Sequence, residues 1–185
     1  MTAGIKFHRV SSMFEGSSHH KLPSVNSAKT RAMLRAIGFS VPYKPTLKWN
    51  FDYDIPYLLG YDTKSNIIYS DKDYDPKSYP EGDASDANAT HEEIEKLLER
   101  FDLNYQQRHH IATHVENLMA DYLDFDWNSY QRFMTHAWHQ SYSKWKGQKA
   151  RLKVPPTLDM SPYMDEDDKL ISAMRKAGAK DPGEE

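Results

Sequence analysis

Apolar residues recur at helical spacing in most of this chain and follow strand-like runs in one short region. Ser27 to Gly38 (SAKTRAMLRAIG) has an N-cap residue at its start and a glycine just past its end, which predicts a short helix. Residues 39–50 hold two prolines and read as extended. Asp54 to Tyr61 (DIPYLLGY) and Ile67 to Asp71 (IIYSD) flank the polar pentapeptide Asp62–Asn66, a pattern that predicts a β-hairpin. Pro56 lacks an amide donor and favours an edge position for the first strand. The acidic stretch 71–89, with two prolines and a glycine, reads as a loop. Helices are expected over about Thr90–Leu103, Tyr105–Leu123 and Asn128–Trp145. In the third, Tyr130, Phe133, Met134, Ala137, Trp138 and Tyr142 share one broad face and read as core, with His136 and His139 at its rim.

The ends look different. Residues 1–26 are rich in Ser and His, with no sustained period, and read as an arm. Residues 146–160 are basic, then proline-rich, and read as a linker. Residues 165–178 carry acids first and bases last, as the helix dipole favours. The expected fold class is α+β, a small antiparallel β-hairpin or sheet packed on a three-helix bundle. Its parts are an N-terminal arm with a short helix (1–45), an α+β domain (46–146) and a linker with a helical tail (147–185).

Composition narrows the function. The 185 residues are 38% hydrophobic, below the usual 45–50% or so, yet 12% aromatic, which fits a compact core with polar extensions. The net charge of −3 provides no global attraction to nucleic acid. The basic run Lys144, Lys146, Lys149, Arg151, Lys153 reads as a solvated helix end rather than a phosphate-binding stripe. The absence of cysteine excludes disulfides, thiolate nucleophiles and cysteine-type zinc fingers. No apolar run reaches the roughly 18 residues of a membrane span, and MTAGIKFHRVSSM has no signal-peptide core. The expectation is a soluble protein of a host cytoplasm or a virion, with no membrane partner. No glycine-rich phosphate loop or G-x-S-x-G elbow is present, so nucleotide and serine hydrolysis are not expected. Asp71-x-Asp73-x-Asp75 opens like a calcium loop, but the sixth and twelfth positions are Pro76 and Gly82, so it reads as a solvated acidic loop.

Six of the nine histidines lie between His91 and His139. His91-Glu92-Glu93-Ile94-Glu95 reads H-E-x-x-E. On a helix, with Ile94 at zero, His91 falls near about 60° and Glu95 near about 100°, at one edge of the stripe formed by Ile94, Leu97, Leu98 and Phe101. Two ligand types at i and i+4 beside a core are the geometry of H-E-x-x-H metal helices, in which the Glu after the first ligand acts as base. In the next helix, with Ile111 at zero and Val115, Leu118, Met119 and Tyr122 as its stripe, His109 and Glu116 share one edge at about 140–160°. His110 and His114 share the other at about −60 to −100°. Either pair could complete a site. A competing explanation needs no metal: Thr90-x-x-Glu93 is a capping-box pattern, and acids are favoured in a first helical turn.

Four blocks occur in order: Asp54-Ile-Pro-Tyr57-Leu-Leu-Gly60-Tyr61, Ile68-Tyr69-Ser70-Asp71, His91-Glu92-x-x-Glu95-Lys96, and Tyr105-x-x-x-His109-x-Ile111-Ala112-Thr113-x-x-Glu116. Together they resemble a family of small uncharacterised proteins of bacteriophages and proteobacteria, which in turn resemble minimal zincin-like metallohydrolases. The resemblance covers about residues 50–125. It implies His91, Glu95, His109 and Glu116 as metal ligands and Glu92 as catalytic base. His110 and His114 are extra histidines that remain alternative ligands. The expected ion is Zn²⁺ or another divalent cation. The expected activity is hydrolysis, with a peptide or protein as substrate, aligned along Ile67–Asp71 with Tyr69 and Asp71 as substrate-binding residues. The hydrolase so expected is of phage or prophage type. The alternative is a non-catalytic structural or interaction protein with a structural or absent metal, contacting an assembly such as a virion through its arm and C-terminal helix.

Overall fold

The computed structural model describes residues 23–148 and 153–158, with side chains described outside 142–148. The N-terminal arm with His19 and His20, the segment 165–178 and most of the basic run lie outside the described residues and side chains. Among the described residues, four α-helices and a three-stranded sheet make an α+β fold. They are α1 (Ala28–Ala36), β1 (Lys48–Tyr53), β2 (Leu59–Tyr61), β3 (Ile67–Asp71), α2 (Ser85–Leu98), α3 (Tyr105–Tyr122) and α4 (Trp127–Gln148). Among the described residues, no helix is long and apolar enough to cross a membrane.

Ser27 caps α1 by accepting from the Thr30 amide, and Gly38 takes the positive φ of 78° that ends it. Although it was expected within an arm, α1 contributes Met33 and Leu34 to a core shared with Ile94 and Leu98 of α2 and Ile111, Ala112 and Val115 of α3. The hairpin forms between β2 and β3, antiparallel, but its first strand is only three residues long. The missing strand is β1, whose Trp49, Phe51 and Tyr53 alternate with polar residues and which pairs with β3 in parallel. The sheet is therefore mixed rather than antiparallel, in the order β1-β3-β2. Pro56 lies in the connection from β1 to β2, outside the ladder.

This order corrects one expectation about the substrate. β3 is the central strand, so its backbone is paired on both sides and it cannot serve as an edge for an extended peptide. Its side chains are also engaged within the fold. Tyr69 is buried and its hydroxyl donates to Asp62 Oδ2 at 3.2 Å, while the buried Asp71 accepts from the Asp73 amide at 2.9 Å. Burial of Asp71 equally departs from a solvated acidic loop.

α2 begins at Ser85, five residues before the expected start, because Ala84, Ala87 and Ala89 let the helix approach its neighbours closely. Ala84 and Ala87 pack with Tyr79 and Tyr130, and Ala89 packs with Leu59, Tyr61 and Ile68. Thr90 is thus mid-helix. Its hydroxyl donates to the Asp86 carbonyl at 2.6 Å, and Glu93 accepts instead from the Thr46 amide and hydroxyl, each at 2.6 Å. The capping-box explanation of this segment does not apply. α3 does carry a capping box, between Asn104 and Gln107.

Candidate metal centre

α2 is the central helix. From Ala87 to Glu95 every residue is buried, whichever way it points. On one side Ile94 and Leu98 meet α1 and α3, and on another Lys96 Nζ bonds the Asp62 and Ser65 carbonyls beside the β2–β3 turn. His91 and Glu95 sit one turn apart on the side that meets α3. They are part of the interior, with Glu95 fully buried, and not a polar margin of an apolar stripe.

α3 meets them with a face that hydropathy misplaces. Its buried residues are Ile111, Ala112, Val115, Glu116, Met119 and Ala120, while Leu118 and Tyr122 are 36% and 55% exposed. The buried arc is centred about 90° from Ile111. Ala112, whose small side chain packs with Ile94 and Leu98, admits α2 there. That rotation carries His109 and Glu116 toward α2 and leaves His110 and His114 on the opposite edge.

Three ligand atoms converge. His109 Nδ1 lies 2.7 Å from Glu95 Oε1, His91 Nε2 lies 3.2 Å from the same oxygen, and the two ring nitrogens are 3.1 Å apart. These residues form the one group of three or more His and acidic side chains among the described residues with the compactness of a cation site. Tetrahedral zinc with bonds of about 2.0–2.1 Å spaces its ligand atoms about 3.3 Å apart, close to this triangle. Glu95 Oε2 is buried and has no hydrogen-bond partner among the described residues. Two imidazoles facing one carboxylate oxygen, with a second oxygen unused, fit a divalent ion of the zinc type. The His109 side chain is 30% exposed, so the group is reached from that side, and Tyr105 stacks on its ring at 5.6 Å.

Glu116, expected as a fourth ligand, occupies a different place. Its Oε2 lies 2.8 Å from His91 Nδ1, the ring nitrogen not shared with Glu95 and His109. Its Oε1 accepts from the Tyr130 hydroxyl at 2.6 Å. Glu92 is buried beside His91 on α2. Tyr130 falls on the expected apolar face of its helix, and no local pattern singles out Asn88 or Tyr74. Asn88 and Tyr130 are fully buried and Tyr74 nearly so. A tyrosine expected at the centre of an apolar face was the available signal, because a buried hydroxyl needs a partner.

The electrostatics follow from the burial. Desolvation alone would push His91 down, but the charge and hydrogen bond of Glu116, then those of Glu95, hold it well above the ordinary imidazole range. Desolvation would push Glu95 up, but the hydrogen bonds from His109 and His91, then their charges, hold it below the ordinary carboxyl range. His110 is lowered by burial and then by the charge of His109, and His114 by burial and then by that of His110.

Comparison with family models, with curated proteins and with solved structures found no match for this chain.

Proposed function

We propose that the protein is a divalent-metal-dependent hydrolase, with zinc the best-fitting ion, held by His91, Glu95 and His109. The observation that carries this reading is the convergence of three ligand atoms from two helices on one point, beside an unpartnered carboxylate oxygen and open on the His109 side. Structural zinc is almost always held by four protein ligands, whereas a three-ligand set leaves a position for water or substrate. A bound ion supplies Lewis acidity, lowering the pKa of water toward about 7 and polarising a carbonyl oxygen. The chain's own groups then have distinct tasks. Glu92, about 100° round the helix from His91 and about 60° from Glu95, takes the proton of the attacking water and returns it to the leaving group. The Tyr105 ring beside His109 forms a wall on the open side. The substrate class this chemistry suits is an amide or ester, a peptide included.

The test begins with elemental analysis of the purified protein beside a His91→Ala/Glu95→Ala double variant. About one zinc per chain, lost in the variant, is expected. Glu92→Gln should then keep the metal and lose hydrolysis of amide and ester probes by about 100-fold or more. Absence of metal after reconstitution would overturn the proposal. Retained metal with no hydrolysis by either form would make the centre structural.

A further inference from the structure

Behind His91 runs a chain of buried polar groups outside the proposed ligand set. Tyr74, before α2, has its hydroxyl 2.6 Å from Asn88 Oδ1 on α2. Asn88 Nδ2 lies 2.5 Å from the Tyr130 hydroxyl on α4. That hydroxyl lies 2.6 Å from Glu116 Oε1 on α3, and Glu116 Oε2 lies 2.8 Å from His91 Nδ1. Asn88 and Tyr130 are fully buried, and Tyr74 and Glu116 nearly so.

Each link has one direction. An amide nitrogen only donates, so the Tyr130 oxygen accepts from Asn88 and spends its single hydrogen on Glu116. The Tyr74 hydroxyl has both Asn88 Oδ1 and the Met134 sulfur within reach, and the amide oxygen is the stronger acceptor. Glu116 therefore receives a hydrogen bond on Oε1 and is left as the acceptor for a hydrogen on His91 Nδ1. With the hydrogen on Nδ1, the lone pair of a neutral His91 ring sits on Nε2, which faces Glu95 and His109.

We infer that Glu116 is a positioning residue, not a metal ligand, and that Tyr130 and Asn88 extend its action by fixing the carboxylate that fixes His91. This rests on the metal-centre reading above. Outer carboxylates that hold a ligating histidine in one tautomer and orientation commonly contribute about 10–100-fold to metal affinity. Here the orientation is tied to three helices at once, so the centre should bind tightly only when α4 is docked.

The test is titration of the metal-free full chain with Co²⁺, followed by its visible absorption, for wild type, Glu116→Gln, Tyr130→Phe, His109→Ala and the core control Ile111→Val. Glu116→Gln should weaken binding about 10–100-fold, and Tyr130→Phe about tenfold, with the band shape kept because the ligands are unchanged. His109→Ala should change the band shape, and Ile111→Val should change neither property. The inference is overturned if wild type binds and both relay variants match it. It is also overturned if Glu116→Gln alters the band shape as ligand loss does, or if Ile111→Val weakens binding equally. A wild type that binds no Co²⁺ fails differently, since it removes the centre itself. Tyr130→Phe keeps its ring in place, so it decides the question if Glu116→Gln does not fold.

Discussion

Three acids crowd the segment Glu92-Glu93-Ile94-Glu95, and the structure gives the middle one a purely architectural task. Glu93 is buried, and its two oxygens accept from the Thr46 amide and hydroxyl at 2.6 Å each, pinning the segment that leads into β1 against α2. Hydrogen bonds to a charged group contribute about 1.5–3 kcal/mol each, and Thr46 is exposed, so the lower end applies because water replaces part of what is lost. Glu93→Ala removes both Thr46 bonds and the one from the Tyr43 hydroxyl, and should cost about 3 kcal/mol or more. Glu93→Gln can accept from the amide and donate to the hydroxyl, so it loses the charge and weakens the bond to Tyr43, and should cost about 1 kcal/mol. Urea unfolding of the metal-free protein measures both. A second reporter lies alongside. Burial first, then the charge and hydrogen bond of Glu93, push the Tyr43 phenol from 10.0 up to about 12. A raised phenol favours the folded state fully below pH 10.0, and that contribution disappears as pH rises toward about 12. In Glu93→Gln the burial remains while the charge goes, so Tyr43 should titrate lower than in wild type but still above 10.0. Its ring carbon resonance, assigned with Tyr43→Phe, follows this. Metal content should be unaffected by Glu93→Gln. Losses below about 0.5 kcal/mol in both variants, with Tyr43 unmoved, would refute the reasoning.

Two further outcomes test the surroundings of the site. Burial would raise Asp62, but hydrogen bonds from the Thr157 hydroxyl, the Lys64 amide and Ser65 outweigh it and bring it from 3.8 to about 2. Its contribution to stability is therefore present above pH 3.8 and disappears as pH falls toward about 2; urea unfolding at about pH 4.5 and about pH 2.5 should show a smaller drop for Asp62→Asn than for wild type. Gly82 has φ of 153°, and a Cβ there would come within 2.9 Å of Phe125 Cε1, whose ring is held edge-on against Tyr79 at 5.0 Å. Gly82→Ala should cost about 2–4 kcal/mol by thermal unfolding, and an unchanged midpoint would show that the ring yields freely.

What sequence made legible was what periodicity encodes. α1 and its cap, the span of α3, most of α4 and the β2–β3 hairpin with its polar turn all follow from local pattern. The alternation of Trp49, Phe51 and Tyr53 with polar residues is a local strand signal in β1, but its parallel partner β3, beyond β2 in the chain, leaves no local mark. The early start of α2 was missed because Ser85–Ala89 contains no large apolar residue; small residues mark close approach, which hydropathy does not score. The same cause rotated the buried face of α3, where Ala112 and Ala120 outrank Leu118 and Tyr122. At the site, spacing placed His91 with Glu95 but left two edges of α3 open. The relay through Tyr130 and Asn88 is invisible in sequence because it joins three helices through side-chain atoms whose partners are 14 and 42 residues apart.

The central helix also bears on why these residues are polar at all. Asn88, Thr90, His91, Glu92, Glu93 and Glu95 occupy interior positions that an apolar residue could fill at less cost, since each ion taken from water costs several kcal/mol before its partners repay it. Stability accounts for some of them. Thr90 returns its hydroxyl to its own helix, and Glu93 holds Thr46. It does not account for His91 and Glu95, because two imidazoles drawn to one carboxylate oxygen leave the other oxygen buried and unused, where an apolar triplet would leave no polar atom unsatisfied. Other buried polar atoms in this fold also lack a partner among the described residues, Arg108 Nε one of them, but at Glu95 the unused atom is a carboxylate oxygen beside two converging imidazole nitrogens. A site that is incomplete by itself, framed by a relay that is complete, is what a protein built to hold a cation would present.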